Sequence, residues 1–156
     1  MAVDPAGNVY VADFGNHRIQ KFDGSGSFLL EWGGLGEETG RLNNPIRLAC
    51  DAAGDVYVAD HHNHRIQKFT PSGTYVMDWG TLGAGPGQFD HVNGIAIGPN
   101  GHVFATDLDN NRIEKFGFVS VTAPAGVEAS SWTRIKARFH VPGSGALRQL
   151  DASSTR

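Results

Sequence analysis

A single cysteine, Cys50, among 156 residues rules out an intrachain disulfide. The thiol sits in the apolar run Leu48-Ala49-Cys50 and reads as a small buried hydrophobe, which leaves the redox compartment open. Basic residues are outnumbered, 13 to 16, for a formal net charge of −3 and no bulk attraction to a phosphate backbone. A nucleic-acid role would need a local basic patch instead. No apolar run approaches the ~18 residues of a membrane-spanning helix, and Met1-Ala2-Val3 opens on strand-like residues with no charged leader before it. No export signal is expected within this sequence. The compartment is not legible, and an extracytoplasmic parent protein is compatible with it.

Glycine is plentiful, at 21 residues, and fits many tight turns. The dominant feature is repetition. Asn16-His17-Arg18-Ile19-Gln20-Lys21-Phe22 returns as Asn63-His64-Arg65-Ile66-Gln67-Lys68-Phe69 and, loosened, as Asn110-Asn111-Arg112-Ile113-Glu114-Lys115-Phe116. Each copy follows an aspartate that ends an apolar run (Asp13, Asp60, Asp107), at a constant spacing of 47 residues. A fixed period of this size marks a solenoid, propeller or array. Within each unit a short apolar run (Met1–Asp4, Leu48–Asp51, Ile95–Gly98) precedes a turn at Gly7-Asn8, Gly54-Asp55 or Gly101-His102. A second run follows: Val9–Ala12, Val56–Ala59 or Val103–Thr106. The recurring segment itself alternates at period two, and Phe28–Trp32 and Tyr75–Trp79 close the unit. These patterns predict four short antiparallel strands per unit, the size of a propeller blade, and an all-β fold.

The segment Asp-x-x-Asn-His-Arg-Ile-Gln-Lys-Phe, preceded by Asp-Pro-Ala-Gly-Asn-Val-Tyr-Val-Ala, resembles the NHL repeat over residues 1 to about 116. The resemblance implies blades around a central channel, often six in a closed ring. About three are expected here within residues 1–122 (blades near 1–32, 46–79 and 94–122, loops 33–45 and 80–93), half of a six-bladed ring. The chain is therefore expected to be part of a longer propeller, or to associate with itself through open blade edges. Beyond it, residues 123–140 are expected to form a linker and a short helix from Ser131 through Phe139, with Trp132, Ile135 and Phe139 on one face. Phe118-Val119-Ser120-Val121 offers a displaced outer strand, and residues 141–156 are expected to be loose.

Asp13 with Arg18, Asp60 with Arg65 and Asp107 with Arg112 face each other across the second hairpin of each unit. There a carboxylate can accept turn amides and a guanidinium contact. Three occurrences at one spacing are what scaffold residues show, because an active site needs each role once. Trp32 and Trp79 recur likewise and read as anchors between blades. Specific function is then sought where the repeat is broken, on the face where the hairpins and the blade-to-blade loops emerge. That face would carry Phe14, His61, His62 and Leu108 from the hairpins, and Glu37, Glu38, Arg41, Asn43, Asn44, Gln88, Asp90, His91 and Asn93 from the loops. Arg47, standing where the third unit has Gly94, is expected near the channel mouth. It would bind an anion or, more readily, form a local ion pair with Glu37, Glu38 or Asp90.

His61, His62 and His64 would make a zinc set only if His91 or a carboxylate converged on them. No metal and no cofactor are expected. Asp107–Asn111 opens like a calcium loop, but Arg112 and Phe118 stand where that loop needs glycine and glutamate. Gly80–Gly87 lacks the following helix and Lys-Ser/Thr pair of a phosphate cradle. No acid, base and nucleophile set is complete. The reading is a non-catalytic scaffold for a protein, peptide or glycan. The resemblance also allows an enzyme, a propeller lyase or metal-dependent hydrolase with its site at the channel mouth. It allows single-stranded RNA binding too, against which the acidic balance weighs.

Overall fold

The computed structural model describes residues 1–118 and the strand at 134–139, and within them twelve strands form three four-stranded antiparallel sheets. The first sheet holds β1 (Ala2–Val3), β2 (Val9–Asp13), β3 (Arg18–Phe22) and β4 (Phe28–Gly33) in chain order. The second holds β5 (Pro45–Cys50), β6 (Val56–Asp60), β7 (Arg65–Phe69) and β8 (Tyr75–Trp79). The third holds β9 (Val92–Ile97), β10 (Val103–Asp107), β11 (Arg112–Phe118) and β12 (Arg134–Phe139). In each sheet the strands lie in chain order as an up-and-down meander, and short turns join those of the first two. The first strands lie side by side, β5 packing on β1 and β2 and β9 packing on β5 and β6, so the sheets succeed one another as blades.

Two cores fill the spaces between blades, and they are built from the same positions. Between the first and second blades lie Tyr10, Ile19, Leu42, Leu48, Val56, Val58 and Phe69. Between the second and third lie Tyr57, Ile66, Phe89, Val103, Ala105 and Phe116, with Ile95 packed against them. Leu42 and Phe89 come from the loops, which cross back over the sheets through the bridges Leu35↔Leu42 and Leu82↔Phe89. Fully burying such a side chain contributes about 1.5–3 kcal/mol, so the loops are part of the core as much as the strands are. Trp32 bridges Tyr10 and Phe69 at centroid distances of 6.1 and 5.7 Å, and Trp79 bridges Tyr57 and Phe116 at 6.2 and 5.7 Å. Both indoles therefore span two blades, as their spacing predicts.

The expected helix through Phe139 is a strand instead. β12 pairs along β11 from Ile113↔Phe139 to Phe118↔Arg134 and completes the third sheet. The physical reason is legible in hindsight: Arg134-Ile135-Lys136-Ala137-Arg138-Phe139 alternates basic and apolar at period two, and a short segment gains more by pairing with an existing edge than by nucleating a helix. Phe118 belongs to β11 rather than to an outer strand, while Val119–Val121, Ser131, Trp132 and the 141–156 tail lie outside the described residues. β5 and β9 also start earlier than expected, at Pro45 and Val92. No helix among the described residues is long and apolar enough to cross a membrane.

Candidate functional site

Each second hairpin turns through a tight helical bend, at Phe14–Asn16 and at His61–Asn63, closed by a residue in the left-handed region: His17 (φ 56°) and His64 (φ 51°), with Asn111 (φ 50°) at the third. The aspartate before each bend is opposite the arginine after it, at 2.8, 2.8 and 2.7 Å for Asp13–Arg18, Asp60–Arg65 and Asp107–Arg112. The pairs do more than close a hairpin. Asp60 Oδ1 accepts the Asn43 amide, Oδ2 also accepts Asn63 and Gln67, and Arg65 donates onward to the carbonyls of Glu38 and Arg41. Asp107 accepts the Asp90 amide and Asn110, and Arg112 donates to the carbonyls of Ala84, Gly85 and Gln88. The second and third blades thus each grip the loop arriving from the blade before. Gln67 and Glu114, not among the residues expected from sequence, belong to this clamp: Gln67 is fully buried and accepts the Gly40 amide, and Glu114 accepts that of Gly87. The signal was present in their position two residues after the arginine in every copy.

That grip draws the blade-to-blade loops against the hairpins on one face. Asn44, also left-handed at φ 52°, donates its amide to His17 Nδ1 and its side chain to the Phe14 carbonyl. His91, its counterpart in the next loop at φ 60°, donates its amide to His64 Nδ1 at 3.0 Å. His17 and His64 are therefore scaffold residues with committed nitrogens. Arg41 donates to the Gly33 carbonyl, and Asn93 lies on β9. Arg47 is exposed, opposite Ala59, and among the described residues donates only to the neighbouring Ile46 carbonyl. The expected ion pair with Glu37, Glu38 or Asp90 does not form; Arg47 follows a register shift in β5, and Asp90 is engaged by His91. In the third blade the equivalent space is taken by Thr106, whose hydroxyl accepts the Gly94 amide.

His61, His62 and His91 converge. Their ring centroids lie 4.9 Å (His61–His62), 5.0 Å (His61–His91) and 5.7 Å (His62–His91) apart, and each offers a ring nitrogen within 4.8 Å of the others. His64 closes the group, its ring 4.7 Å from that of His91. Partial desolvation, then the neighbouring His61, His91 and His17, hold the exposed His62 below the ordinary imidazole value; burial and His91 do the same for His64. Cys50 is half-buried, and burial pushes its thiol up to about 11, which makes it a poor nucleophile.

No curated protein sequence matches the chain. Solved structures do resemble it: a streptogramin B lyase (23% identity over 73% of this chain and 35% of that one, TM-score 0.57), the virginiamycin B lyase of Staphylococcus aureus (19%, 90% and 40%, TM-score 0.61) and a protein titled a putative phosphatase from Bacteroides thetaiotaomicron (18%, 72% and 33%, TM-score 0.58). At these identities the likeness is one of fold. The chain spans between a third and two fifths of the length of those relatives. The NHL repeat matches residues 1–22, 42–69 and 89–116, half of the chain in three segments that cover the first three strands of each blade and leave out the fourth. The chain belongs to the NHL repeat family and folds as part of a β-propeller.

Proposed function

We propose that this chain serves as a non-catalytic NHL-type scaffold that binds a protein, peptide or glycan on the face built from the second hairpins and the blade-to-blade loops. The observation that carries this reading is the division of polar side chains on that face. The repeated ones, Asp60, Asn63, Arg65 and Gln67 and their third-blade counterparts, are consumed in holding loops. Arg47 is unrepeated, exposed and meets no carboxylate among the described residues. A guanidinium so placed offers a planar donor fork to a partner's carboxylate or carbonyl groups. Exposed Phe14 and Leu108 add apolar contact area on the same face. Peptide and glycan arrays probed with the labelled chain test this. Ligands retained by the wild type and lost on Arg47→Glu, with an unchanged circular dichroism spectrum, support the reading; ligands equally retained by the variant place binding elsewhere.

The convergence of His61, His62 and His91 favours a second reading, an enzyme with its site at the channel mouth. It is a lyase if the chemistry named for the streptogramin B and virginiamycin B lyases extends to this chain. Incubation with a streptogramin B antibiotic, with chromatographic separation of any product from the starting compound, tests it; an unchanged antibiotic removes that version.

A further inference from the structure

The histidine group has the features of a ligand set and not of a chance cluster. His61 and His62 occupy the bend before β7 and His91 the residue before β9, so two blades contribute to one point. The positions equivalent to His61 are Phe14 and Leu108, those equivalent to His62 are Gly15 and Asp109, and that equivalent to His91 is Asn44. The group is therefore written once in the chain, unlike every residue of the clamp.

The hydrogen bonds also set which nitrogens are free. His61 Nδ1 lies 2.9 Å from the Val92 carbonyl, which can only accept, so Nδ1 carries the proton and Nε2 the lone pair. His91 Nδ1 lies 2.6 Å from Asp109 Oδ2 and 3.1 Å from Asp90 Oδ1, which fixes the same tautomer. A ligating histidine characteristically donates its other nitrogen to a backbone carbonyl or a carboxylate, and both arrangements are present here before any ion arrives. His62 is exposed, and its ring makes no hydrogen bond among the described residues, so it can close on an ion from the solvent side. A second grouping, His64 with Asp90 and His91, is also close. Its members are already spent: His64 Nδ1 accepts the His91 amide, and His91 Nδ1 is committed to carboxylates.

We propose that His61, His62 and His91 form a site for a divalent transition-metal ion of the zinc class, with Asp109 orienting His91 and the fourth position open to solvent or to a partner's ligand. Nitrogen donors on a ~2.0–2.1 Å metal bond stand roughly 3.3 Å apart in a tetrahedral site. The ligand nitrogens of the three histidines already lie within 4.8 Å of one another. An all-imidazole set selects zinc, copper or nickel over calcium and magnesium, which take oxygen ligands. The site needs neither a partner nor turnover, so its failure would leave the scaffold reading standing, and its success would not prove it.

The test is calorimetric titration of zinc chloride into the chelator-stripped full chain, with metal analysis after dialysis. The expected result is one zinc per chain, a binding constant weakened at least about tenfold by His62→Ala or His91→Ala, and a smaller weakening by Asp109→Asn. His64→Asn, which places in blade two the residue that blade three has at Asn111, should bind as the wild type does. A zinc-dependent rise in the thermal midpoint of the wild type, lost in His62→Ala, reads the same site without depending on the fold of the other variants. No saturable zinc, several weak equivalents unaffected by these substitutions, or loss on His64→Asn with retention on His62→Ala would each overturn the proposal.

Discussion

Asp60 Oδ2 and Arg65 Nε stand 2.8 Å apart, directly opposite on neighbouring strands, and between them they hold backbone groups of the loop that arrives from the first blade. Asp60 is wholly buried, whereas the equivalent Asp13 and Arg18 are partly open to water. Removing one partner of a buried, hydrogen-bonded pair leaves an uncompensated charge, so Arg65→Ala should cost about 3–5 kcal/mol. Arg18→Ala should cost far less, since water replaces the lost contact. Urea unfolding of the two variants checks the difference. Equal losses would mean that the clamp contributes no more than a surface pair.

Gly73 and Gly26 occupy the same turn in successive blades, both left-handed, at φ +78° and +89°. A Cβ on Gly73 would meet Trp32 at 2.9 Å, while one on Gly26 would meet nothing within 4 Å. Gly26→Ala should therefore cost about 1 kcal/mol, the backbone term alone. Gly73→Ala should cost about 1–3 kcal/mol more, as overpacking displaces the indole between blades. The gap in unfolding midpoints, together with a change in tryptophan fluorescence for Gly73→Ala only, measures that packing.

Cys50, with its thiol held up to about 11 by burial and by Asp4 and Asp51, should react slowly with a thiol reagent at pH 8. Its thiolate fraction is about a hundredfold below that of a free thiol, and denaturant should restore the ordinary rate. A native rate equal to the denatured one would contradict the packing of β5.

Asp4 accepts the amides of Ala6 and Asn8, the side chain of Asn8 and the Tyr10 hydroxyl. Burial pushes its carboxyl up, but the hydrogen bonds from Asn8, Tyr10 and Ala6 outweigh that and hold it below the ordinary carboxylate value. A folded value below the unfolded one means that the carboxylate stabilises the fold above about pH 4 and that this contribution is lost as pH falls through the folded value. Asp4→Asn should lower the unfolding midpoint at pH 7, and the two proteins should converge toward pH 3. A constant gap across that range would show that charge plays no part. The third blade supplies an internal comparison, since Gly98 and Phe104 replace the aspartate and the tyrosine together.

The architecture could be read from the sequence because repetition doubles every signal: Ile19 with Ile66 and Trp32 with Trp79 each announce a core position twice. The Asp–Arg pairs were legible for the same reason. What could not be read is where one unit meets another. The reach of Arg65 into the loop at Glu38 and Arg41, the exposure of Arg47 after a register shift and the approach of His91 to His61 all depend on blade-to-blade placement, which no local period encodes. The period-two alternation of Arg134–Phe139 becomes a strand only where the β11 edge is there to pair with, and that edge is not written in the segment itself.

The grip of the second and third blades on the loops behind them also gives the fold a direction. A defect in the second blade's clamp is felt first by the segment leaving the first blade, so damage propagates toward the amino terminus while the mutated sheet keeps its own ladder. Duplicating or excising a span of 47 residues would carry jaw and cargo along in matched register, which is how such a chain could change its number of units without relearning how to fold.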